Sequence, residues 1–573
     1  MGKFLLGLLV GVVVTIVGGF IVMFAIGRLF ATNQPTVAAN SVLVLSLSGE
    51  VPESAPVELP IPFFETQSTP TVRDVWTSLR HAATDNRVKA VLIQPRELAT
   101  GWGKLQEIRQ ELLTFKKSGK PLYAFLQGPG SREYYLATAA DKVFLSPDDM
   151  LDVKGFRLEE MYFKNTLDKI GVGVQVDHIG RYKDAGDIFT KTGMSPETRD
   201  VLNHVLDQLY NEFCSTVGQS RHKSADDMRQ LLDMGPFMAG QAKATGLVDE
   251  LGYEDQVYAD LKKKTGGEVN RTSIKRYYRA VPGSGDRIAL LVGEGEIIRG
   301  GPDDSSGTQT AISSGAFSKT IQQVRKDGSI KGVIVRIDSP GGDAVASDDI
   351  LHELKLLSAV KPVIISMSDV AASGGYFISM TGDSIVSYPD TITGSIGVLY
   401  VRPNFHSLYD KLGISQDMLT RGKLADMDSL YQPLSDAAKQ KLHDSIETTY
   451  HSFVSKVAAA RKKAYDQIEP LAQGRVWMGA QAKDNGLVDQ LGGLDQAIAL
   501  VRSRAKLSAT GDTNLVLYPP RKTIFELLAG SSAESGLESY ARSKLKTAIP
   551  GLPGPALVKG GIMKIMPFQL SIH

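Results

Sequence analysis

The chain has 573 residues, 42% of them hydrophobic and 22% charged, with 56 glycines and one cysteine. That is globular composition at a length of about three or four domains, and it excludes a disordered, collagen-like or coiled-coil chain. Lys plus Arg number 64 against 63 Asp plus Glu, so no broad basic field is available for nucleic acid, and the lone Cys214 excludes an intramolecular disulfide or a cysteine-based zinc cluster.

The first element in chain order is residues 4–26, FLLGLLVGVVVTIVGGFIVMFAI, which carry no charge. About 20 apolar residues cross the hydrocarbon core, whereas the apolar region of a cleaved signal peptide is usually about 7–15 residues. Residues 1–30 therefore read as an uncleaved N-terminal membrane anchor ahead of an exported body. A cleaved signal peptide ending near VAAN at 37–40 is the competing reading. Gly7 and Gly11 form a GxxxG suited to close helix packing, although glycine is frequent in membrane helices generally.

Beyond the anchor the chain repeats itself. KAVLI at 89–93 recurs as KGVIV at 331–335, and KPLYAFL at 120–126 as KPVIISM at 361–367. YYLATAADKVFLSPD at 134–148 recurs as YFISMTGDSIVSYPD at 376–390, and GQAKATGLVDELG at 240–252 as AQAKDNGLVDQLG at 480–492. The spacing predicts a duplicated domain, 41–275 and 285–505, with 506–573 as a C-terminal extension lacking any motif. Each copy reads as α/β. Apolar β-branched runs such as 333–337 and 363–367 look like buried parallel strands. Segments 347–357, 196–220 and 436–463 have helical periodicity.

The two copies differ in chemistry. Copy two carries RIDSPGGDA at 336–344, where Gly341 and Gly342 open a helix with outward-pointing amides, and AASGGY at 371–376, where Ser373 precedes Gly374 and Gly375. Such settings suit an oxyanion hole and a serine nucleophile; a tight turn and a helix N-cap are the bland alternatives. With Tyr134 aligned to Tyr376, copy one has Ser131 opposite Ser373, but Arg132-Glu133 replaces the glycine pair and PRELATG at 95–101 replaces IDSPGGD. Copy two is equipped for chemistry and copy one is degenerate.

A serine needs a base. None of the nine histidines stands in a partner motif, and His352 reads as a helix-surface residue. A lysine kept neutral by burial is the alternative. Lys183 in GRYKDAGDIF and Lys423 in TRGKLADMDS occupy equivalent places, so the pair forms either within copy two or across the halves, and spacing does not choose. LVGEGEIIRGG at 291–301 is a weak nucleotide-binding hint, since GxG alone has little specificity.

Taken together, DSPGG, AASGGY, TGSIG at 393–397, YKDA and the GLVD segments closing each copy resemble the protease IV family of signal peptide peptidases in its long, duplicated form. The resemblance covers about 41–505 plus the anchor. It implies tandem crotonase- or Clp-protease-like domains behind a transmembrane helix, assembled as a homotetramer. It implies a serine–lysine peptidase with Ser373 as nucleophile, Lys183 of the first copy as general base, Ser395 orienting the lysine, and Gly341 or Gly342 with Gly374 as oxyanion hole. No metal or organic cofactor is implied. The implied substrates are hydrophobic peptides, remnant signal peptides above all, met at a bacterial inner membrane with the catalytic body on the periplasmic side. Lys183 is followed by Asp184, which would raise its pKa unless the two face apart, as neighbours on a strand do. The rival readings are a crotonase-type acyl-thioester enzyme and a non-catalytic quality-control scaffold.

Overall fold

The computed structural model describes residues 35–54, 69–281, 283–301, 311–519, 561–566 and 571–572, with a few positions between 7 and 19. The anchor expected over 4–26 thus falls almost wholly outside the described residues. Among the described residues no helix is long and apolar enough to cross a membrane.

Two parallel sheets share one strand order. The first runs Asn270–Ser273, Ser41–Gly49, Val88–Leu98, Leu122–Leu126, Lys142–Leu145, Glu250–Leu251. The second runs Thr513–Tyr518, Asp286–Glu294, Gly332–Ser339, Val363–Ala372, Ser384–Ser387, Gln490–Leu491, with Ile392–Gly394 and Val476–Met478 added beside the upper part of Val363–Ala372. The central strands are continuous apolar runs because helices cover both faces; Val333, Ile334, Val335 and Ile337 are all fully buried.

One expected boundary moves. Thr513–Tyr518 lies beyond residue 505, yet it pairs with Asp286–Glu294 in the place that Asn270–Ser273 takes beside Ser41–Gly49. Copy two therefore runs on into the presumed extension. The strand TNLVLY shares too little sequence with NRTS to be recognised as its copy.

The recurring GLVD segment is a joint. Asp249 accepts from the Val143 amide at 2.8 Å and from Arg221, the C-cap of the long helix Pro196–Ser220, at 2.8 Å. Asp489 does the same with the Ile385 amide at 2.8 Å and Arg461, on Asp436–Arg461, at 2.6 Å. Tyr134 and Tyr376 donate their hydroxyls to the equivalent carbonyls of Leu247 and Leu487. One carboxylate thus ties a strand to the longest helix in each copy.

The copies meet over a buried charge network. Arg336, fully buried, pairs with Glu53 at 2.8 Å and Glu107 at 2.5 Å, both from copy one. Lys104 of copy one, also fully buried, lies 2.7 Å from Asp338 and 3.7 Å from Asp369 of copy two. A third, mixed sheet joins both halves in the order Ala311–Ser313, Glu296–Ile298, Gly341–Asp343, Gly561–Ile565, Val398–Asn404, Gly173–Ile179.

Candidate active site

Ser373 stands at the carboxyl end of the parallel strand Val363–Ala372, directly before the short helix Gly374–Ile378. The reversal is too sharp for ordinary backbone: Ser373 has φ 53° and ψ −111°, a conformation costing on the order of 1–3 kcal/mol for a residue with a side chain. It is held there by its amide donating to Gly394 O at 2.8 Å and by its carbonyl accepting from Phe377 N at 2.7 Å. This elbow turns Oγ away from both the strand and the helix.

The glycines leave the room this turn requires. A Cβ on Gly375 would lie 2.6 Å from Ser339 O, so the helix rests directly on the end of the DSPGG strand. Gly341 has φ 102°, and a Cβ there would fall 2.6 Å from Gly374 N and 2.0 Å from Lys564 O. Its amide donates to Ser339 Oγ at 3.2 Å, and Gly342 follows at φ 152°.

Lys183 reaches this point from copy one. It lies on the loop between the strand Gly173–Ile179 and the helix Asp187–Thr190. Copy two grips that loop: Tyr182 N donates to Gln473 O at 2.8 Å, and a Cβ on Gly474 would sit 2.6 Å from the Lys183 Cβ. Nζ lies 2.8 Å from Ser373 Oγ, 2.8 Å from Ser395 Oγ and 3.0 Å from Ser395 O, all of them buried. A neutral amine has two N–H donors and one lone pair. The two Ser395 oxygens take the donors, and the lone pair is left facing the Ser373 hydroxyl. Burial supports that state by pushing the Lys183 pKa well below the ordinary lysine value, and the nearby Lys564 pushes it the same way.

Asp184 opposes this shift only in part. Its carboxylate accepts from the hydroxyls of Thr198 and Ser195 at the start of the helix Pro196–Ser220. It does face away from the serine, but for a different reason than strand alternation: the lysine is on a loop, and a helix N-terminus draws the acid aside.

Of the expected site residues, the structure brings Ser373, Lys183, Ser395, Gly341 and Gly374 together, with Gly342 one step along the same strand. Lys423 is exposed on a turn, and His352 is exposed on the helix Ala344–Ser358. Ser131 begins the helix Ser131–Ala137 in copy one. Two glycines escaped the sequence reading, Gly397 and Gly474, which flank the lysine side chain. The signal existed for one of them: counting back from the matched Gln241 and Gln481, copy one has Met234 where copy two has Gly474.

Residues 114–268 and 355–508, one stretch in each copy, match peptidase family S49. The chain belongs to this family. Its relatives include a chloroplastic serine protease SPPA of Arabidopsis thaliana, 34% identical over 89% of this chain and 76% of that protein. Protease 4 of Salmonella typhi is 32% identical over 86% of this chain and 80% of that protein. Among solved structures, a ClpP1 N165D mutant from Listeria monocytogenes is matched over 36% of this chain and 94% of that one, at 16% identity and a TM-score of 0.23. The chain is a serine peptidase of the protease IV group, and the acyl-thioester and scaffold readings fall away.

Proposed function

We propose that this serine peptidase works through a dyad assembled across its two halves, with Ser373 as nucleophile and Lys183 as general base. The observation that carries the reading is the 2.8 Å separation of Lys183 Nζ and Ser373 Oγ in a buried setting that keeps the amine neutral. Nζ takes the hydroxyl proton as Oγ attacks the scissile carbonyl, and Ser395 fixes the amine by occupying its two N–H groups. The amides of Gly342 and Gly374 receive the oxyanion, because the Gly341 amide is already committed to Ser339 Oγ. The ammonium then returns its proton to the leaving amine, and water releases the acyl-enzyme.

The substrates in this reading are hydrophobic peptides, remnant signal peptides after their release from preproteins. The enzyme is held by residues 4–26 in a bacterial inner membrane, with its catalytic body on the periplasmic side and four copies per assembly. The charge-free run of 23 residues and the near-neutral body support a place at the membrane surface.

Hydrolysis of a leucine-rich fluorogenic peptide by the wild type and by Ser373→Ala, Lys183→Ala and Lys423→Ala is the test. The first two variants lose activity, by roughly 10²–10⁴-fold for the base, and the third keeps it. Activity in Ser373→Ala sinks the assignment, and loss confined to Lys423→Ala moves the base into copy two. Activity also falls as pH drops through the lowered lysine pKa, because protonation removes the base. A rate that stays flat down to about pH 5 excludes a lysine in that role. Sedimentation of the intact chain with membranes, and its mass in detergent, test the anchor and the tetramer.

A further inference from the structure

Arg475 directly precedes the strand Val476–Met478 of copy two and reaches in two directions. Its carbonyl accepts from Ser395 N at 2.7 Å, which holds the serine beside the lysine amine at φ 51°. Its guanidinium lies against Tyr182, the residue before Lys183. Nη1 is 3.2 Å from the Tyr182 hydroxyl, and the guanidinium carbon is 5.1 Å from the ring centroid. The same guanidinium carbon is 4.8 Å from the Trp477 ring centroid, and Nη1 is 3.4 Å from Asp200 on the helix Pro196–Ser220. Trp477 is fixed in turn by its indole N–H, which donates to Leu471 O at 2.8 Å. The backbone closes the same contact: Tyr182 N and Arg181 N donate to Gln473 O and Oε1 at 2.8 and 3.1 Å.

Each member of this contact is confined to the half that uses it. Counting from the matched Lys183 and Lys423, copy two has Gly422 where copy one has Tyr182. Counting from the matched Gln241 and Gln481, copy one has Gly235 where copy two has Arg475. The tyrosine therefore accompanies only the lysine that reaches Ser373, and the arginine only the half that receives it. Arg181 has a counterpart in Arg421, so a basic residue close to the lysine does not by itself separate the halves. The arginine is also kept at a cost. Its Nε is buried and finds no hydrogen-bond partner among the described residues, and a buried donor left unsatisfied destabilises the fold.

We propose that Tyr182 and Arg475 form a clasp across the halves that sets the position of Lys183 Nζ, and that both are positioning residues of the peptidase site. The proposal rests on reading Ser373 and Lys183 as the dyad, and it adds how the base is held in register with its serine. Lys183 sits on a loop, and loops place a side chain less precisely than strands or helices do. Two of the three Nζ contacts are to Ser395, so the lone pair meets Ser373 Oγ only while Ser395 and the lysine loop keep a fixed separation. Arg475 spans that separation with one residue, its carbonyl on Ser395 and its guanidinium on Tyr182. A planar guanidinium suits this task, because it stacks on a ring and donates to the ring's hydroxyl at once, as a compact ammonium does not. The clasp also keeps the amine dry. Lifting the loop admits water, and water favours the ammonium form.

The test measures kcat, KM, the pH profile and the unfolding temperature of Tyr182→Phe, Arg475→Met and the double variant of the full chain, with a leucine-rich fluorogenic peptide as substrate. Tyr182→Phe removes one hydroxyl and no charge. Its kcat falls about tenfold or more, since a misplacement of about 1 Å costs up to about 10²-fold, while KM stays within about twofold. The acid limb of its kcat/KM profile moves to higher pH, because a hydrated amine is protonated more readily than a buried one. The charges acting on Lys183, Asp184 on its own loop and the nearby Lys564, are untouched, so the limb reports hydration of the amine. Arg181 Nη2 also donates to the Tyr182 hydroxyl, at 2.5 Å, and Arg475→Met separates the two arginines by leaving that bond in place. It lowers kcat as Tyr182→Phe does, and the double variant loses little more than the worse single one, as members of one contact do. An unchanged kcat and acid limb in Tyr182→Phe overturn the proposal. So does a loss of kcat that comes with an unmoved limb and a lowered unfolding temperature, which makes the contact structural. Full activity in Lys183→Ala fails the dyad, and the clasp with it. Activity lost in Lys183→Ala beside an unaltered Tyr182→Phe fails the clasp alone.

Discussion

The turn after the third strand is built twice in this molecule, and the two versions do opposite things with the same space. In copy two, Gly374 and Gly375 leave the elbow bare, so that a serine, a glycine strand and an incoming lysine converge on it. In copy one, Arg132 and Glu133 fill the corresponding positions. Glu133 accepts from Leu98 N at 2.5 Å and Gly130 N at 2.9 Å, and Arg132 Nε donates to Thr100 O at 3.1 Å. A resident carboxylate and guanidinium thus fill and tie down, in copy one, the turn that copy two leaves open. Counting from the matched Pro147 and Pro389, copy one also has the buried Val153 where copy two has Ser395. A site of this kind arises as much from side chains left out as from side chains put in.

Exchanging the turns breaks the comparison most directly. Gly374→Arg with Gly375→Glu installs the copy-one turn in copy two, and the Cβ of residue 375 meets Ser339 O, a backbone atom that cannot swing aside. Loss of the oxyanion donors and of the elbow lowers kcat by at least about 10²–10³-fold. Steady-state kinetics checks this, and retention of activity within about tenfold would show that the glycine pair is not what separates the copies.

The comparison extends to the helix behind each turn. In copy two the helix Ala344–Ser358 follows the glycine strand, with Asp343 capping it through Val345 N and Ala346 N. In copy one the equivalent helix, Trp102–Lys116, directs its amides into copy two: Gly101 N and Lys104 N donate to Asp369 at 3.0 and 2.7 Å. The Lys104 ammonium lies among Asp338, Asp369 and Glu294, and burial pushes Asp369 and Glu294 up to about 7. Lys104→Met keeps the volume and strands these carboxyls, and it costs about 3–5 kcal/mol. Denaturant unfolding measures it. A loss below about 1 kcal/mol would mean that the halves do not depend on this contact.

How much of this could be read in advance follows from how local each feature is. The duplication, the parallel strands and the elbow serine lie in contiguous motifs, and the missing glycines in copy one stood out once the copies were aligned. The choice between Lys183 and Lys423 was not open to spacing, because it depends on a loop gripped by Gln473 and Gly474, nearly 300 residues away in sequence. Only the family resemblance pointed to Lys183. Lys104 and Arg336 carried no signal in the sequence, since the acids closest to them belong to the other half. GIMKI is a five-residue run whose pairing partners lie at 341–343 and 398–404; no periodicity in so short a segment announces where it docks.

The smallest effect tests whether the degenerate half still governs the active one at a distance. Gln106, on the copy-one helix, exchanges two hydrogen bonds with Asp390 of copy two: Nε2 donates to Oδ2 at 2.9 Å, and Oε1 accepts from the Asp390 amide at 3.1 Å. Burial raises the Asp390 carboxyl to about 8, and Glu212 adds to the shift. An acid with a raised folded-state pKa contributes stability that is complete below its unfolded value, near 3.8, and is lost as pH rises through the folded value. From about pH 6 to about pH 8 the wild type therefore loses about 2 kcal/mol through this group. Asp390→Asn keeps an uncharged side chain of the same shape in the same contact, so its unfolding free energy lacks that slope. Parallel pH profiles for the two proteins would mean that Asp390 is ionised in the folded state, and that the seam between the halves carries one more buried charge than its partners satisfy.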